Sequence, residues 1–105
     1  RLENKAHLAK YDRERRQKLR LEVLVHYSGV PPKCARCGFT DIRALTVDHI
    51  NGGGNNHRKQ IGGSGTVFYA WLRRHNYPEG YQILCMNCNF IKKDETILME
   101  IPISR

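Results

Sequence analysis

Two Cys-x-x-Cys pairs, Cys34-Ala35-Arg36-Cys37 and Cys85-Met86-Asn87-Cys88, carry the strongest chemical signal in this chain. Each pair sets two thiolates on one side of a tight turn, and Gly38 supplies the backbone freedom that the first turn needs. Two such pairs close a tetrahedron around one zinc ion and leave no open position, so the site they predict is structural. Two disulfides are the other way to use the same four residues, but disulfides belong to oxidising compartments and nothing in the sequence directs export. A redox Cys-x-x-Cys comes singly beside a β-α-β pattern, which is lacking here. Residues 38–84 separate the pairs, far more than the ~15–20 residues of a simple zinc ribbon. Something else is inserted in the frame.

The insert contains Val47-Asp48-His49-Ile50-Asn51, and the second pair continues as Leu84-Cys85-Met86-Asn87-Cys88-Asn89 with Lys92-Lys93 beyond it. A cysteine pair, an Asp-His at a strand end and a Leu-Cys-x-x-Cys-Asn with a following lysine, in that order over residues 34–93, resemble the HNH, or His-Me finger, endonucleases. The ββα-metal fold of that family often sits inside a four-cysteine zinc frame. The resemblance implies that His49 is the general base that activates water and that Asp48 and Asn89 hold one catalytic divalent ion, Mg²⁺ or Mn²⁺. The residue types suit those tasks. An imidazole titrating near neutrality can accept the proton of a water, and a carboxylate with an amide carbonyl offers the hard oxygens that Mg²⁺ or Mn²⁺ prefers. Neighbours in a strand point to opposite faces, so Asp48 and His49 share one site only if the strand ends or bulges there. The glycine run from Gly52 fits such an ending.

One position departs from the family pattern. The family's middle asparagine pins the loop that carries the base, and by spacing from Cys85 it falls at Gly80. Asn51 or a backbone carbonyl is left to orient His49. His57 reads as an extra ligand, a phosphate contact or, most simply, a solvated loop histidine. Arg58, Lys59 and Lys93 are candidate phosphate contacts, because backbone charge dominates affinity for DNA.

The elements that must position these groups follow from pattern. Residues 1–28 contain no proline and end at Ser28-Gly29, which predicts one long helix. Up to Lys18 it is polar almost all round and carries Arg1, Lys5, Lys10, Arg13, Arg15, Arg16 and Lys18. Leu21, Leu24 and Val25 then fall at the spacing of a buried stripe, so the second half packs on the domain and the first half projects. The projecting half is a phosphate-contacting arm, with Arg13 and Arg16 in it, or a solvated helix face. Leu45-Thr46-Val47 predicts a short strand running into Asp48-His49. Residues 52–65 read as a loop too rich in glycine for helix or strand. Thr66 is placed to cap a short helix through Asn76, with Val67–Trp71 and Phe68–Leu72 as apolar pairs in the core. Tyr81–Leu84 predicts the second strand, and the second cysteine pair opens a last helix from Asn89 to about Ile97.

The chain has 105 residues, with 18 Lys and Arg against 10 Asp and Glu and a formal charge of +8. Four thiolates on one Zn²⁺ add a net −2, which leaves +6 and keeps the preference for a polyanionic partner. A chain this short buries only about two-thirds of its unfolded surface, and chains of this size often add a staple, either disulfides or a structural metal. No apolar run approaches the ~20 residues of a membrane span, and no signal peptide is evident. The expectation is an intracellular α+β protein: a small ββα-metal fold framed by zinc at 30–105, with a basic helical arm at 1–29. Its expected function is metal-dependent hydrolysis of DNA phosphodiesters, as a nick or a double-strand cut. The alternative is a non-catalytic, zinc-stabilised nucleic-acid-binding module. A protein-interaction domain is disfavoured by the charge. Oligomeric state stays open, although double-strand cutting from one site per chain would call for a dimer.

Overall fold

The computed structural model describes residues 2–63 and 65–100. Helix α1 (Leu2–Ser28) is continuous, as the absence of breakers predicts. Residues 8–18 are exposed and project; Arg1 and the side chain of Lys5 lie outside the described residues. The buried stripe differs from the one expected. Leu19, Val23 and Leu24 are buried, whereas Leu21 is 42% exposed and Val25 is half-buried. The difference arises because α1 is clasped from two directions. Leu19 and Val23 pack with Phe68 and Leu72, while Leu24 packs with Leu45, Ile83, Leu84 and the cysteines, so contact begins half a turn earlier than a one-sided stripe would. Arg20 fixes the register by donating to the carbonyls of Ile42 and Leu45.

Strands β1 (Leu45–His49) and β2 (Tyr81–Cys85) form a two-stranded antiparallel sheet in which Leu45 faces Cys85, Asp48 faces Gln82 and His49 faces Tyr81. Between them lie two helices, α2 (Gly54–Ile61) and α3 (Thr66–Arg74). Helix α2 corrects the expected loop. Its glycines flank the helix instead of filling it: Gly53 and Gly62 take left-handed conformations at its two ends, and the amides of Gly62 and Gly63 both donate to the Arg58 carbonyl. Thr66 does not cap α3; Gly65 occupies the cap position, and Thr66 is the first helical residue. Of the expected apolar pairs, Phe68 and Leu72 are core, Trp71 is half-buried and Val67 is exposed. Helix α4 (Met86–Glu100) starts directly after Cys85, three residues before the expected start.

No described helix is long and apolar enough to cross a membrane. Among the described residues the architecture is a small α+β fold whose two-stranded sheet packs against α1 and α4. Leu24→Ala, at the meeting point of α1, the sheet and the cysteines, is expected to lower stability by about 2–5 kcal/mol. Leu21→Ala should cost under ~0.5 kcal/mol. Chemical denaturation of the two variants checks this, and equal losses would contradict the packing described.

Candidate functional site

The two cysteine pairs converge. The Sγ atoms of Cys34, Cys37, Cys85 and Cys88 all lie within 4.8 Å of one another, and none is in a disulfide. Cys37 and Cys85 are 3.7 Å apart at sulfur. A tetrahedral ion with Zn–S bonds of ~2.3 Å separates its sulfurs by roughly 3.8 Å, so the spacing fits a closed four-thiolate site. The first knuckle is built by Gly38, whose amide donates to the Cys34 carbonyl at φ +77°, and Ala35 ties it to the Ile83 carbonyl of β2. The second is built by the β2–α4 junction, where the Cys88 amide points at Cys85 Sγ at 3.4 Å. Burial works to raise Cys34, but backbone hydrogen bonds at Cys37, Cys85 and Arg36 outweigh it and bring that thiol down to about 6. Cys88 is pushed up to about 12 by burial and by its sulfur neighbours. Four sulfurs this close favour a dication among them over four separate charges.

Beside this cluster, a cleft at the end of β1 is lined by Asp48, His49, Arg58, Asn89, Lys92 and Lys93, together with Gly54, Met86 and Phe90. Asp48 and His49 reach it from opposite faces of the strand, because β1 stops at His49. On the α4 face, Asp48 Oδ2 accepts from Gln82 Nε2 at 3.0 Å and from Lys92 Nζ at 2.5 Å. That ion pair is well covered, with side-chain exposures of 20% for Lys92 and 11% for Asp48. Lys92 also donates to the carbonyls of His49 and Ile50, so one ammonium ties the strand end to α4. Asn89 Nδ2 donates to Thr46 Oγ1 at 3.1 Å.

On the other face, His49 Nε2 lies 2.9 Å from His57 Nδ1. The His49 ring packs against Tyr81 and Phe68, with centroids 4.9 and 5.2 Å away. Burial, then the charges of His57 and Arg58, hold its imidazole below the ordinary histidine value. The Ile50 amide donates to the Gly80 carbonyl at 3.0 Å, so the Gly80 backbone holds the chain just after His49. His57 is not a solvated loop residue: it is half-buried on α2 with Trp71, Phe68 and Tyr81 around it.

Of the cations expected to meet phosphate, Arg58 and Lys93 line this cleft and Lys59 does not. Arg16 lines a separate groove between α1 and α3 with Arg15, Lys18 and Arg73, into which Asp12 and Glu22 also face; Arg13 lines neither. Gln82 and Lys92 were not anticipated as partners of Asp48. Their signals were present in the sequence, since Gln82 stands opposite Asp48 once the strands pair and Lys92 lies one helical turn after Asn89. No protein-family model, curated protein or solved structure matches the chain.

The cluster predicts one tightly held zinc per chain, measured by elemental analysis of the purified protein. Cys85→Ser, or removal of the metal by a strong chelator, should unfold the domain. A metal-free protein that keeps its fold would contradict the structural role.

Proposed function

We propose that this chain is a metal-dependent DNA endonuclease of the HNH type, with the strand-end cleft as its active site and the four-cysteine cluster as its structural frame. The observation that carries the reading is the meeting of Asp48, His49 and Asn89 in one cleft with Arg58 and Lys93 beside it. Asp48, His49 and Asn89 are the residues that the family pattern selects, and they come together from two elements far apart in the chain, β1 and α4. The ββα-metal topology follows in the same reading, with β1, β2 and α4 as its parts.

In this reaction His49 takes a proton from a water whose oxygen forms a bond to phosphorus. The opposite P–O bond breaks, and the departing alkoxide takes a proton from solvent. Neutrality of the imidazole, favoured by its burial, keeps it able to accept that proton. Arg58 and Lys93 hold the phosphate and its neighbours by charge. Asp48 and Asn89 would hold the divalent ion, which supplies neutralisation of charge on the phosphate and the departing oxygen when bound. Their carboxylate and amide oxygens are the hard donors that Mg²⁺ or Mn²⁺ takes, and Lys92 is the cation that such an ion joins or displaces at Asp48.

A specific observation favours a second reading. Asp48 already carries the Lys92 ammonium and Asn89 turns its amide nitrogen to Thr46. Without an ion there, the chain is a zinc-stabilised module that binds nucleic acid and does not cut it.

Incubation with supercoiled plasmid separates the two. Cleavage should need Mg²⁺ or Mn²⁺ added over EDTA, and His49→Ala should abolish most of it while zinc content, fold and DNA binding persist. Asp48→Ala and Asn89→Ala should lose activity that raised Mn²⁺ partly restores, because they lack affinity for the ion and not the base. Wild-type cleavage by His49→Ala, or no cleavage by the native chain in either metal, leaves the binding module as the function.

DNA affinity should fall steeply with salt, with a slope of about −0.9 per phosphate neutralised. Deleting residues 1–18 should lower affinity and flatten that slope in titrations of a labelled duplex. An unchanged slope would mean that the projecting half of α1 is only a solvated helix.

A further inference from the structure

Resting on the nuclease reading, we infer that His57 is a positioning residue for His49. By accepting a hydrogen bond from His49 Nε2–H, it fixes the base in the tautomer that leaves the Nδ1 lone pair facing the cleft. A bond between two imidazole nitrogens needs one N–H and one lone pair, and the 2.9 Å separation of His49 Nε2 from His57 Nδ1 sets which two nitrogens share the proton. With the proton on His49 Nε2, Nδ1 is a base. With the proton on His57 Nδ1 instead, a neutral His49 carries its hydrogen on Nδ1 and has no lone pair for water.

Two further features bear on this assignment. His57 is held from several sides: Trp71 stands perpendicular to it with centroids 4.4 Å apart, Phe68 lies at 5.4 Å, and Tyr81 is stacked at 6.2 Å. Its own amide donates to the Gly53 carbonyl at the start of α2, which anchors the backbone that carries the ring. On the other edge of His49, Gly54 leaves Nδ1 room. A Cβ on Gly54 would sit 3.2 Å from Nδ1 and 3.5 Å from Cε1, crowding the nitrogen that must meet water. Gly80 has no side chain with which to orient the ring, and His57 does that work from a different element.

Three zinc-loaded proteins test the inference: the native chain, His57→Phe, which keeps an aromatic ring but no acceptor, and His57→Asn, whose amide oxygen can accept in place of Nδ1. With plasmid and Mn²⁺, His57→Phe should lose about 10²-fold in kcat, the scale of a misplaced catalytic group, with KM and melting temperature unchanged. His57→Asn should recover most of that loss. Long-range ¹H–¹⁵N correlation of the histidine rings should find His49 protonated at Nε2 in the native chain and a mixture of tautomers in His57→Phe. Native kcat in His57→Phe, or a native His49 protonated at Nδ1, overturns the inference. If the native chain cuts no plasmid, the nuclease reading fails by itself, and the ring tautomers alone then decide whether His57 positions His49.

Discussion

Four sulfur atoms within 4.8 Å of one another cannot all carry charge unless a cation lies among them, and most of the fold hangs on that constraint. The thiolates join two distant pieces of chain, the knuckle at 34–37 and the junction of β2 with α4. Because Cys85 is the last residue of β2 and Cys88 lies in the first turn of α4, the same cluster fixes the angle between strand and helix. Asn89 is the next residue, and Lys92 lies one turn further on the same side. From β2 the constraint passes to β1 through the ladder that ends at His49–Tyr81. A metal of this kind is worth roughly 10–16 kcal/mol in small zinc domains, comparable to the entire stability of a domain this size. Loss of the frame would therefore displace Asp48, His49 and Asn89 together.

Charge in the cleft is balanced in a way that depends on occupancy. Lys92 serves Asp48 and two backbone carbonyls at once, so it stabilises the strand end with no other cation present. A divalent ion bound as proposed at Asp48 and Asn89 would compete with that arrangement. The His49 ring leans on Tyr81, Phe68 and His57, while Asp48 leans on Gln82 and Lys92. Asp48 and His49 sit on opposite faces of one short strand and line one cleft at its end.

The sequence made some of this legible and hid the rest for physical reasons. The zinc frame could be read because Cys-x-x-Cys spacing is local geometry, and the long helix because nothing in residues 2–28 interrupts it. Both strands could be read from β-branched and apolar runs. Helix α2 could not: glycines at 52, 53, 62, 63 and 65 look like a loop until their placement is seen to bracket a helix, with left-handed conformations outside it. The α1 stripe was misplaced by half a turn because one helix is buried by two partners, and a single-sided periodicity cannot express that. The burial of His57 is hidden for a different reason: its partners Trp71, Phe68 and Tyr81 come from elements whose mutual placement is tertiary. The candidate residues Asp48, His49 and Asn89 were legible as a pattern, and their shared cleft depends on β1 ending at His49.

In the proposed nuclease the strand-end cleft holds a divalent ion on Asp48 and Asn89 with DNA phosphate beside His49. Anomalous X-ray diffraction from crystals of the zinc-loaded protein with a DNA duplex and Mn²⁺ tests it most directly. The account predicts a manganese peak coordinated by an Asp48 carboxylate oxygen and Asn89 Oδ1, a phosphate against it, and His49 Nδ1 facing that phosphate, in addition to one zinc among the four cysteines. A cleft without manganese, in which Lys92 still holds Asp48 and the DNA lies elsewhere, would contradict it.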